Sequence, residues 1–165
     1  MKHIIAVPLI FFFDGALHSL YLLKGHDGLH CFSEYEIKPN EGEIPNEDKE
    51  DIEKIVRIFY DRLYSGVCMA STARGFSVGS KSISQIRAYH NSDTDTLYVY
   101  FCVECHERPE KKDPSPYQEV FIPVEEVDRR IVDTKNPLHV DIGVNILKSY
   151  FAEDGKWLLP KVEKV

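Results

Sequence analysis

Residues 83–105 read ISQIRAYHNSDTDTLYVYFCVEC, and how this stretch folds decides how the rest is placed. From Thr96 onward the side chains fall into two alternating sets. Leu97, Val99, Phe101, Val103 and Cys105 form one, while Tyr98, Tyr100, Cys102 and Glu104 form the other. A period of two is that of a strand. Both sets hold large apolar or aromatic side chains, which suit a pleated surface buried on both faces, so a central strand is expected. Upstream, Ile86 and Ala88 face one way, with Ile83, Gln85, Arg87 and Tyr89 opposite. Asn91 to Asp95 lies between the two runs and is made of residues whose side chains bond nearby backbone in turns. The stretch reads as an antiparallel hairpin.

Towards the N-terminus, Ile4–Phe13 and Ala16–Leu23 flank Asp14-Gly15. That pair suits a two-residue type I′ turn, whose twist matches its strands. Pro8 cannot donate to a ladder and belongs at an edge or a bulge. A turn at Lys24–Gly28 and an alternating run from Leu29 to Ile37 complete a three-strand meander. Asn46 is the expected N-cap of a helix in which Ile52, Ile55, Val56, Phe59 and Leu63 form an apolar stripe, with Gly66 as its stop. Shorter helices are expected from Val124 to Ile131 and from Ile146 to Phe151. Strands followed by helices, without strand–helix–strand repetition, indicate an α+β fold: one domain over residues 1–165, its largely antiparallel sheet built from hairpins and packed by about three helices.

Hydrophobic residues make up 43% of the 165, enough for a buried core, and the net charge is −7. Asn40–Glu53 carries Glu41, Glu43, Glu47, Asp48, Glu50, Asp51 and Glu53 against Lys49 alone, so nearly all the net charge is local. Such a balance argues against nucleic acid or an anionic membrane as partner. The apolar run after Lys2 is too short to cross a bilayer, and Pro8, Asp14 and the want of a small-x-small site argue against a leader. With no Asn-x-Ser/Thr sequon, the four cysteines are expected as reduced thiols in a cytoplasm.

Motifs that carry chemistry are weak. Cys102-x-x-Cys105-His106 has haem-attachment spacing and could form one zinc knuckle, yet residues three apart on a strand point to opposite faces. His26-Asp27-x-x-His30 lies in a glycine-flanked turn that would hold ligands loosely. Gly75–Ser82 lacks the spacing of a phosphate loop. Arg87, His90, Tyr98 and Tyr100 could line one sheet face, with His90 as base and Arg87 as anion clamp. No cofactor is expected. The reading favoured by charge is a small acidic inhibitor, such as an immunity protein or antitoxin, that covers a basic partner like a nuclease toxin through the Glu41–Glu53 acids. The chain would then more readily be a binder than an enzyme. The alternatives are an enzyme on the hairpin face and a subunit of a homo- or hetero-oligomer.

Overall fold

The computed structural model describes residues 1–13, 18–76, 83–105, 118–123, 126, 142–146, 148, 149 and 161–163. Strand β1 (His3–Phe13) is the middle of a mixed sheet. The hairpin of residues 83–105 forms as expected, from β5 (Ile83–Asn91) and β6 (Thr96–Cys105). In this hairpin β6 is the buried central strand, between β1 and β5. Its partnership with β1 is parallel, from His3 opposite Thr96 to Phe12 opposite Cys105. That departs from a wholly hairpin-built sheet, because it joins strands remote in sequence. A register shift between Ser84 and Ile86 brings Ile83 to the same side as Ala88, against the expected alternation.

On its other side β1 has two partners in turn. Strand β2 (His18–Lys24) pairs antiparallel with Phe11–Phe13, and β4 (Tyr35–Ile37) pairs antiparallel with Ile4–Ala6. Since β1 ends at Phe13 and β2 begins at His18, their connection exceeds two residues. The run from Leu29 to Ile37 is two strands: β3 (His30–Cys31) stays with β2, then the chain crosses to β1 as β4. Between these attachments, residues 7–10 of β1 pair only with β6 among the described strands. Pro8 falls within this break, where β1 is flanked by a described strand on one side only, a setting that tolerates a residue without an N–H. Strand β7 (Gln118–Pro123) lies on the far side of β2, and β8 (Lys161–Glu163) runs parallel to β5.

Helices α1 (Ile52–Ile58) and α2 (Tyr60–Thr72) cover one sheet face. The expected stripe is there, Ile55, Val56, Phe59 and Leu63 buried and Ile52 partly so, with Val67 continuing it, against Ile4, Ala6, Ile10, Leu97, Val99 and Phe101. Each such side chain contributes about 1.5–3 kcal/mol by leaving water. The N-cap is Asp51, whose side chain accepts from Lys54 N, while Asn46–Asp48 is a separate 3-10 turn. Gly66 does not stop the helix, which runs on to Thr72. It is buried against β4, and a Cβ there would collide with the Tyr35 ring.

The opposite face carries Val7, Leu9, Phe11, Tyr89, Tyr98, Tyr100 and Cys102, packed with Phe32 and with Val144 and Ile146 of the helical residues 142–146. Gly143 lies close over it: a Cβ there would be 2.9 Å from the Phe32 ring and 3.1 Å from Leu9 Cδ2. The expected helix at 124–131, and most of the one at 146–151, lie outside the described residues.

Candidate active site

Alternation along neighbouring strands lays a row of side chains across the second face. Arg87 stands opposite Tyr100, and Tyr100 opposite Val7, so the row leads from β5 to the lip of the break in the sheet. Arg87 is only 4% exposed. Beside this row Tyr89 stacks on Tyr98, centroids 6.0 Å apart and planes 8° from parallel, and Tyr98 leans on Tyr100 at 6.5 Å. A guanidinium among aromatic rings can hold a planar or phosphate anion by paired hydrogen bonds. Burial pushes the Tyr100 hydroxyl far up, with Tyr98 and the Glu34 carboxylate adding to it. It therefore stays protonated and can only donate or accept as a neutral group. Burial likewise raises the Cys102 thiol, although Arg87 acts in the opposite sense.

Three of the four residues expected on one face meet there: Arg87, Tyr98 and Tyr100. His90 does not join them. It lies opposite Leu97, in register with the helix-covered side, and its Nε2 is 3.1 Å from Asp95 Oδ1. The parity of residue 90 against 87 carries this in the sequence, since an odd separation along a strand changes faces.

Other sequence candidates are dispersed. Cys102 belongs to one core cluster and Cys105 to the other, on opposite sides of the sheet, so the two cannot share an ion. Burial and Glu104 push the Cys105 thiol up to about 11. His106 and residues 77–82 lie outside the described residues. His30 is buried on β3, not exposed at a hairpin tip, and Asp27 accepts from Leu29 N. All four cysteines are free thiols. In the acidic segment, Glu43 binds Arg62 Nη1 at 2.7 Å, and Asp48 and Asp51 share Lys54 at 3.3 and 3.9 Å. These three fasten the loop to the helix, while Glu41, Glu47, Glu50 and Glu53 remain exposed.

A residue that sequence reading passed over is Ser71. The hydroxyl is fully buried and has no hydrogen-bond partner among the described residues. Its position four beyond Val67 and eight beyond Leu63 is the signal that could have placed it on the sheet-facing side of α2.

The chain matches no family model, and no curated protein matches its sequence. Solved structures do resemble it. An ADP-ribose pyrophosphatase from Streptococcus suis superposes with a TM-score of 0.56 at 6% identity, covering 99% of this chain and 100% of that one. The NUDIX domain of Shewanella oneidensis NrtR, solved with ADP ribose, gives 0.56 at 9% identity, covering 90% and 88%. The C-terminal domain of mouse MUTYH, solved in complex with human PCNA, gives 0.56 at 10% identity, covering 100% and 95%. At these identities the likeness establishes the fold: α+β and Nudix-like. Several solved structures that share the fold are named as hydrolases, a pyrophosphatase among them, and this corrects the expectation of an immunity protein or antitoxin against a basic toxin and of a chain more readily a binder than an enzyme. No described helix is long and apolar enough to cross a membrane.

Cleavage of phosphate anhydrides commonly uses magnesium held by one or two carboxylates and the substrate's own phosphates. The described residues do not fit that role by themselves. No three His, Cys, Asp or Glu side chains among them come together. The carboxylates of α1 and α2 outside the loop pairs, Glu53 and Asp61, stand more than two helical turns apart.

Proposed function

We propose that the protein is a hydrolase of Nudix-like fold acting on an ADP-type compound, with Arg87 taking a phosphate and the Tyr89–Tyr98 stack bordering the base. The observation that carries this reading is the buried Arg87 in an aromatic row that ends at the break beside β1. The fold shared with proteins named for ADP-ribose supports the choice of substrate class. In the reaction, water adds to one phosphorus, the bridging P–O bond breaks, and two phosphate monoesters leave. Arg87 can balance negative charge as it builds on the oxygens, and the neutral Tyr100 hydroxyl can orient them.

The test is incubation with ADP-ribose and magnesium, followed by chromatography for AMP and ribose phosphate. AMP release by the native protein is expected. In Arg87→Gln it should fall by about tenfold to a hundredfold, the loss of a hydrogen bond to a charged group, with far-UV circular dichroism unchanged. Absence of both product and binding in the native protein would overturn the reading.

A further inference from the structure

Phe59 stands at the junction of α1 and α2 and is buried, while Arg57, Ile58, Tyr60 and Asp61 about it are all exposed. At 3.6 residues per turn, these four spread over the half of the helix turned away from Phe59. Ile58 is 43% and Tyr60 41% exposed, two of the four large apolar side chains that the described residues leave open to water. Tyr60 leans on Tyr64 one turn on, ring centroids 6.2 Å apart, which extends the apolar surface along α2. A single apolar side chain at a surface is ordinary. Here two stand together, with a base before them and an acid after them, and that order has a consequence under two-fold symmetry. An axis through Phe59, perpendicular to the helix, carries position 57 onto 61 and position 58 onto 60. Arg57 of one copy then meets Asp61 of the other, and Ile58 meets Tyr60, in each direction.

We propose that this face binds a second copy of the chain, the two helices lying antiparallel about Phe59, so that the protein forms a two-fold dimer. The order of charges selects that arrangement. A parallel pairing would set Arg57 on Arg57 and Asp61 on Asp61, and like charges brought together across an interface are costly. The antiparallel one joins opposite charges around an apolar centre, the general anatomy of a protein interface. It also keeps the strongly acidic segments apart. The starts of α1 in the two copies would stand about fourteen residues from each other along the helix, about 21 Å. That is more than two Debye lengths of about 8 Å at physiological ionic strength, so their repulsion is screened. The face lies on the opposite side of the sheet from Arg87, and the dimer stands or falls separately from the nucleotide reading.

Sedimentation equilibrium over a range of concentrations tests this, and the native protein should show monomer in exchange with dimer. Arg57→Asp sets acids against acids and Asp61→Arg sets bases against bases, so each variant alone should dissociate at least about tenfold more readily. An equimolar mixture of the two should recover the native dimer, because each then supplies the charge that the other lacks. Circular dichroism should be unchanged throughout, since both positions face water. Ile58→Ser combined with Tyr60→Ser should give a folded monomer that no mixing rescues. A native protein that stays monomeric, or assembles as anything other than a dimer, overturns the proposal. So does a dimer indifferent to these substitutions, and so does loss of dimer in both charge variants without recovery on mixing.

Discussion

Asp95 ties the hairpin turn to the start of β1 and to His90. Its φ of +50° is in the left-handed region, uncommon outside glycine although tolerated by Asp and Asn. The carboxylate meets the Met1 amine at 2.8 Å and His90 Nε2 at 3.1 Å, and its carbonyl accepts from Lys2 N. The hydrogen bond from the Met1 amine, opposed by burial and aided by His90, holds the carboxyl below its ordinary value of 3.8. A lowered folded-state value means stability that is fully present above the ordinary value and is lost as pH falls through the folded one. In urea melts from neutral to strongly acidic pH, the native protein should exceed Asp95→Asn near neutrality. The gap should close in acid below the ordinary carboxylate range; a gap constant with pH would contradict this account. The side chain is 36% exposed, so the effect is small. At the same scale lies the error over His90, whose chemistry was legible while its face was not read from its parity.

Among the elements, the helical pair shows what periodicity can and cannot give. The stripe from Ile52 to Leu63 was legible because burial against a flat sheet imposes the helical period on the sequence itself. The passage of α2 through Gly66 was not. A glycine is the usual helix stop, but here it is kept for want of a side chain, under Tyr35 of a strand that sequence reading had joined to the wrong partner. Gly66→Ala should therefore destabilise the protein by about 1–3 kcal/mol, as overpacking does, instead of stabilising a helix interior by about 1 kcal/mol through better propensity. The sign of the shift in the urea midpoint decides between them. The split of Leu29–Ile37 into β3 and β4 has the same origin. Alternation reports which residues alternate and is silent on which strand they meet, so the break beside β1, and the candidate site at its lip, could not be foreseen.

For the whole molecule, the sheet draws its strands from both ends of the chain, and its centre is the parallel pair of β1 and β6. The pairings of β1 with β2 and of β5 with β6 were legible because each joins strands close in sequence. The pairing that unites them leaves no trace in either segment beyond apolar character. That pairing also bears on the order of assembly. Strand β1 is deeply embedded, yet its long partner is made some ninety residues after it. Until then a very apolar ribbon has no ladder to join on that side, which exposes it to wrong associations. Closing so large a loop must precede the contacts that compensate for it, so refolding should be slow for a chain of this size, on the order of milliseconds to seconds. In stopped-flow experiments a weakened β5–β6 turn should slow refolding, if that hairpin is the template on which β1 docks. The strand at the heart of the sheet is then the last to be secured: made well before its partner, it waits for its place.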